Sequence, residues 1–170
     1  SYGSGKATIQ MDSTQLYTFK INYTTLVKIK FKKIIFKGKY DAVNQIGGAT
    51  NAYAIQFNNS LTSSYSNNNS STDSMYIDID SCEFSNLMGD GVQIFNSSIF
   101  KKGYFRVQNN YFHELGRNAI YISGIMYSDC KILNNQIINL HGRTDNPYGG
   151  SALSALWCKS LIVEKNYLNN

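Results

Sequence analysis

The sequence lacks most of what marks a common soluble enzyme. It has a single proline and only 16% charged residues, unlike a cytosolic helical enzyme. Its three cysteines include no Cys-x-x-Cys pair, so they offer neither a disulfide framework nor a zinc spacing. They are expected to be buried free thiols, acting as small apolar side chains. No apolar run approaches the roughly 20 residues a membrane helix needs. The opening residues lack the pattern of a secretory leader, although a removed leader would leave no trace. Basic residues outnumber acidic ones, 16 to 11. Even so, no aromatic-and-basic module of an RNA or DNA binder is present, so nucleic acid is not an expected partner. Neither end carries the amphipathic helix that would cap a solenoid.

Asn, Ser, Gly and Tyr are abundant instead, a composition that resembles extracellular or virion-surface β-proteins. The length suits one domain with its own core. No stretch of residues 104–123 has helical spacing. Phe105 and Val107 alternate with polar neighbours, Asn109 and Asn110 make a polar corner, and Tyr111 and Phe112 open a second strand. A turn through Gly116 leads to a third strand with Ile120 and Ile122 on one face.

This unit repeats. An apolar strand residue followed by another five positions later recurs as Ile79 and Phe84, Val107 and Phe112, Ile132 and Ile137, Val163 and Leu168, and more loosely Ile29 and Ile34. Two residues before each first member lies a further inward candidate: Val27, Ile77, Phe105, Cys130 or Leu161. The anchors at 34, 84, 112, 137 and 168 are 50, 28, 25 and 31 residues apart. The last three intervals suit one solenoid coil, and the first suits a coil carrying an insertion. Leu87, Leu115 and Leu140 recur three positions after the anchor, closely followed by Gly89, Gly116 and Gly142. The next strand recurs as Ile55 and Phe57, Val92 and Ile94, Ile120 and Ile122, and Leu153 and Ala155. The expected architecture is all-β: a right-handed parallel β-helix of about five coils over residues 1–170.

In that architecture Asn110, Asn135 and Asn166 form a ladder, each amide donating and accepting along the stack. Asn also tolerates the left-handed conformation a corner needs. Lys32 and Cys82 interrupt the ladder column, so a less regular corner is expected in the first coils. Weak strands are expected around Ala7–Met11 and Leu16–Ile21. The chain opens mid-pattern and stops inside a coil, so a piece of a longer β-helix is expected.

Residues 26–39, LVKIKFKKIIFKGK, alternate apolar residues with lysines. They fit a strand with a lysine solvent face, which discourages edge pairing, or a footprint for an acidic polysaccharide or phosphate-rich surface. Residues 58–74 are a polar low-complexity insertion. Residues 143–150, RTDNPYGG, are a second inserted loop, of the kind that carries binding residues. The sequons at Asn22, Asn58, Asn68, Asn69 and Asn96 are no more than so Asn- and Ser-rich a chain yields by chance.

The segments VQNNYFHELGRNAIYI, KILNNQIINLHG with the following GGSALSAL, and LIVEKNYLNN resemble the right-handed parallel β-helix of the pectin-lyase-like superfamily. The likeness covers most of residues 75–170 and little of residues 1–60. It is specific for fold and weak for chemistry. It implies a polysaccharide or cell-surface glycan as partner and an extracellular or virion-surface location. The superfamily spans polysaccharide lyases, glycoside hydrolases and phage tailspikes, and the tailspike likeness would go with a homotrimer. A rigid, non-catalytic shaft or receptor-binding module is the alternative.

In that family glycan lies along one sheet and the turn before it. The corresponding outward row here is Gln56, Gln93, Tyr121 and Ser154, which equally suits an ordinary polar face. The turns hold Asp90, His113, Glu114, Arg117, His141, Arg143 and Asp145. If the chain is enzymatic, Asp90 or Glu114 would be the acid or base, His113 or His141 would assist proton transfer, and Arg117 and Arg143 would hold an anionic sugar. Asp90 and Glu114 could pair as in a glycosidase. The paired aspartates of polygalacturonases are missing, with only Asp90-Gly91 and His141-Gly142 reminiscent of their motifs. The aspartate cluster by which pectate lyases bind calcium is not evident either, so no cofactor or metal is expected.

Overall fold

The short alternating stretches become sixteen strands among the described residues of the computed structural model. The structure describes residues 5–12, 16–23, 26–47, 52–59, 74–95, 102–123, 129–142, 150–156, 158 and 160–169. Sheet A stacks β1 (Ala7–Gln10), β4 (Ile34–Lys37), β7 (Glu83–Leu87), β10 (Tyr111–Leu115), β13 (Gln136–Leu140) and β16 (Tyr167–Asn169). Sheet B stacks β2 (Tyr17–Tyr23), β5 (Tyr53–Asn59), β8 (Val92–Phe95), β11 (Ile120–Ser123) and β14 (Leu153–Leu156). Sheet C stacks β3 (Leu26–Lys32), β6 (Ser74–Asp80), β9 (Lys102–Gln108), β12 (Asp129–Leu133) and β15 (Leu161–Glu164). The chain visits A, B and C in turn, and each interior strand pairs in parallel with its counterparts on the coils before and after. This is a right-handed parallel β-helix of about five coils, the hand expected of parallel crossovers.

Inward residues pile up by type. The rings of Phe36, Phe84 and Phe112 stack nearly parallel, with centroids 5.0 and 4.6 Å apart. All three are fully buried. Burying each ring is worth about 1.5–3 kcal/mol, and stacking adds about 0.5–1.5 kcal/mol per pair. Ile77, Ile79, Phe105, Val107, Cys130 and Ile132 fill the layer under sheet C. At the last coil the same columns surface, with Val163 49% and Leu168 60% exposed.

The register settles the first coil differently from the sequence reading. Phe31 pairs with Ile79 and Phe36 with Phe84, so Phe31 and Phe36 are the five-apart pair, not Ile29 and Ile34. Lys32 lies opposite Asp80, and Ile34, not Lys32, occupies the ladder column. The segment offers two apolar pairs with the same spacing, and cross-strand partners choose between them. The expected early strands are present as β1 and β2, which complete a coil below the first anchor.

The Asn ladder runs through the C-to-A corner. Asn135 Nδ2 donates to Asn166 Oδ1 (2.9 Å) and to the Val107 carbonyl (2.9 Å). Asn135 Oδ1 accepts from the backbone and side-chain nitrogens of Asn110, both at 3.0 Å. Asn110 Oδ1 in turn accepts from the Cys82 backbone (2.9 Å). Asn110 and Asn135 are 2% and 1% exposed, so these bonds replace all the water the amides give up. The left-handed residue at this corner is the one before the ladder: Lys33, Ser81, Asn109, Asn134 and Lys165 have φ of 53–56°. That corrects the expectation that the ladder asparagines themselves adopt it.

Cys82 and Cys130 are buried free thiols, and Cys158 is half-buried. The lysine face of β3 is partly neutralised, because Lys30 pairs with Asp78 (2.9 Å) and Lys32 with Asp80 (3.1 Å). β3 is the terminal strand of sheet C, where lysine opposes edge pairing. The polar insertion proves shorter at both ends than 58–74, since β5 runs to Asn59 and β6 begins at Ser74. Residues 60–73 lie outside the described residues, as do 143–149. No described helix is long and apolar enough to cross a membrane.

Two predictions follow from the corner. Asn135→Ala strands the Asn110 amide and the Val107 carbonyl, and should cost about 2–3 kcal/mol. For a chain of this size the melting temperature should drop by about 5–10 °C. Asn166→Ala, at the more open coil, should cost less. Burial pushes the Asp80 carboxyl up, but hydrogen bonds from Asn109, Lys32 and Ser81 outweigh it and hold the group below its ordinary value. Its contribution is therefore present above about pH 4 and lost as pH falls through the depressed value. Thermal melts across pH 2–6 should show that loss, and Asp80→Asn should flatten it.

Candidate functional site

The A-to-B corner and the sheet that follows it carry a polar network centred on the buried side chains of Asp90, Gln93 and Asn118. Parallel pairing starts before the strands do: Gly91 N donates to Asn118 O (3.1 Å), and Ala54 N to Asp90 O (3.3 Å). This brings Tyr53, Asp90 and Asn118 side by side on successive coils. Asp90 Oδ1 accepts from the backbone and side-chain nitrogens of Asn118, both at 3.0 Å. Asp90 Oδ2 accepts from Gln93 Nε2 (3.1 Å), and Arg117 Nε lies 3.6 Å from Asp90 Oδ1.

Asp90 is fully buried. Burial pushes its carboxyl up, opposed by the Arg117 charge and by the Asn118 and Gln93 hydrogen bonds. The geometry is that of a second corner ladder with a carboxylate in place of one amide. An aspartate so enclosed organises its neighbours, and no approach from solvent reaches it.

Those neighbours form the outer face of sheet B. Lys20, Gln56, Gln93, Tyr121 and Ser154 stand in one register row across five coils. The sequence-derived row is thus in register, and Lys20 extends it. Gln56 Nε2 donates to Gln93 Oε1, and Gln93 is only 5% exposed. The expected outward amide is therefore covered, while Gln56, Tyr121 and Ser154 stay half-buried. Arg117 Nη1 donates to the Tyr53 hydroxyl (3.1 Å). Burial raises the Tyr53 phenol above its usual value against the pull of Arg117. The Tyr53 ring stacks on Tyr17 with centroids 5.9 Å apart, and Lys20 Nζ sits 4.9 Å from the centroid of Tyr17.

Tyr17, Lys20 and Tyr53 were not among the residues expected from the sequence. Extending the sheet-B repeat back to Phe19 and Ile21, one coil before Ile55 and Phe57, would have found them. No family model matches the chain, and neither a curated protein nor a solved structure does.

His113 and Glu114, expected in a turn, lie within β10. Each histidine is joined to a glutamate on the coil before it. His113 Nε2 is 3.3 Å from Glu83 Oε1 and stacks on Tyr111, with centroids 4.4 Å apart. His141 Nε2 is 2.8 Å from Glu114 Oε2. Asn139 Nδ2 donates to Glu114 Oε1 (2.7 Å). Among the described residues, Asp90 bonds to Gln93 and Asn118 and Glu114 to His141 and Asn139, two separate sets. Glu114 is left-handed, with φ 53°, a conformation that costs a non-Gly residue of this kind about 1 kcal/mol or more. Arg143 and Asp145 lie outside the described residues. Among the described residues no three His, Cys, Asp or Glu side chains come together as a metal site.

Substitutions at Asp90 should separate charge from hydrogen bonding. Asp90→Asn keeps an acceptor for Asn118 and should cost about 1 kcal/mol, whereas Asp90→Ala strands buried donors and should cost about 3 kcal/mol. Urea melts of both variants measure the difference.

Proposed function

We propose that this β-helix recognises a glycan lying along the outer face of sheet B, on an extracellular or virion-surface protein. The observation that supports the reading is the five-membered register row of Lys20, Gln56, Gln93, Tyr121 and Ser154. Amide, phenol, hydroxyl and ammonium groups repeat along it at the sheet's rung spacing of about 4.8 Å. Such groups exchange hydrogen bonds with sugar hydroxyls. The Tyr17–Tyr53 pair adds an apolar body with polar tips, as carbohydrate surfaces need. Membership of the pectin-lyase-like superfamily is part of this reading, carried by the coil sequence and the three-sheet winding.

The burial of Asp90 favours recognition without cleavage at that carboxylate. Asp90 then acts through Gln93, Asn118 and Arg117, fixing the groups that meet the sugar. The non-catalytic shaft or receptor-binding reading fits this arrangement, with the row as its contact surface.

Affinity electrophoresis against a panel of bacterial and plant polysaccharides tests the proposal. At least one should retard the protein. Gln56→Ala and Tyr121→Ala should each weaken that interaction by about tenfold, the worth of a hydrogen bond or two, with the melt unchanged. Retardation by no polysaccharide, or equal retardation of both variants, would sink the reading. Product release from the same panel that vanished in Asp90→Asn would show Asp90 to be catalytic after all.

A further inference from the structure

A separate cavity of about 460 Å3 opens where the chain leaves sheet A on the early coils. Its walls include Lys37, Lys39, Tyr40, Asp41, Asn86 and Glu114. It shares no residue with the sheet-B row.

The wall is built in advance of any ligand. Gly38 N donates to Ser85 O (2.9 Å), Tyr40 N to Asn86 O (2.9 Å), and Asn86 Nδ2 back to Tyr40 O (3.2 Å). A Cβ on Gly38 would lie 2.0 Å from the Asn86 carbonyl oxygen, so glycine alone lets the segment sit this close. The next turn is held by Asp41 Oδ1, which accepts from Val43 N and Asn44 N, both at 3.0 Å. A preformed wall lowers the ordering cost of binding.

Asn86 and Glu114, which also line the cavity, belong to a column of left-handed residues, one per coil, that continues to Asn139, with φ of 54°, 53° and 50°. Asn suits that conformation and Glu does not. Position 114 therefore carries a carboxylate at a conformational cost that its two stacked equivalents avoid. His141 and Asn139 hold one oxygen each. A carboxylate offers about four acceptor sites, so capacity remains for a ligand. Lys37, also in the lining, is exposed and forms no ion pair among the described residues, while Lys39 leans on Asp12 (3.4 Å).

We infer that this cavity is a second binding site, for a hydroxyl-rich molecule carrying a negative group. Glu114 accepts from a ligand hydroxyl, and Lys37 pairs with the negative group. His141 and Asn139 are positioning residues that aim the carboxylate. The inference rests on the glycan reading only for the choice of probe.

The test uses three oligosaccharides of one backbone and matched length: dextran, carboxymethyl-dextran and dextran sulfate. Binding is measured by calorimetry at about 0.15 M salt, where loose surface attraction is screened. One or both charged probes should bind, and neutral dextran should bind far more weakly. Comparing the charged probes separates a carboxylate ligand from a sulfate-like one. Glu114→Asn and Lys37→Ala should each reduce affinity about tenfold or more, while Lys131→Ala, on β12 of sheet C and outside both sites, changes nothing.

Glu114→Asn restores the residue its column favours, so its melting temperature should equal or exceed that of the parent protein. A structural strut would behave oppositely, with a lowered melt and unchanged affinity, and that result overturns the site. Should Glu114→Asn fail to fold, Lys37→Ala decides alone. Equal binding of neutral and charged probes, or binding by none, also overturns the inference. Loss of binding in Tyr121→Ala with none in Lys37→Ala would place the ligand on sheet B instead.

Discussion

A backbone that turns a buried corner must hydrogen-bond every group it takes from water. Here that demand is met by one side-chain type stacked on itself. Asn110 and Asn135 each bridge to the next coil by both main chain and amide, and Asn166 accepts the last of these bonds. The bridge sets the height and rotation of each coil relative to the next. The phenylalanine column inside and the polar row outside inherit that register. A corner satisfied one residue out of step would turn every strand's inward face outward.

The last three coils were legible because their signals agree. The Val107–Phe112, Ile132–Ile137 and Val163–Leu168 pairs, the asparagines and the leucines after them all give one register, and the structure keeps it. The first coil was less legible. Lysine alternates with apolar residues there, and local pattern cannot say which of two equally spaced pairs faces in. Phe84 decides, by stacking on Phe36. The left-handed position was misplaced by one residue because Asn occupies both places in two coils. Only Lys33, Ser81 and Lys165 show that conformation follows the position and not the side chain.

The candidate site was half legible for a related reason. Period-two alternation names the residues that leave a sheet, so Gln56, Gln93, Tyr121 and Ser154 could be aligned. It says nothing of what lies over them. Gln93 is enclosed because Gln56 and Asp90 both hold its amide, and Asp90 is enclosed because Asn118 answers it from the next coil. Acidic residues near glycines suggested chemistry, yet the two carboxylates diverge. Asp90 is spent on a corner, and Glu114 keeps an open side. A lone sequence records that both are acids, and only their neighbours on adjacent coils assign them different work.

The three thiols acquire a use from their depth. Cys130 faces inward with its thiol pushed far up by burial, and Cys82 is likewise shut away, while Cys158 is half-open. Because a thiolate is the reactive form, the inner two stay inert while their coils are closed. Alkylation at those sulfurs can therefore occur only as fast as the winding comes apart around them. The chain carries its own timer for unravelling, read at two heights along the axis.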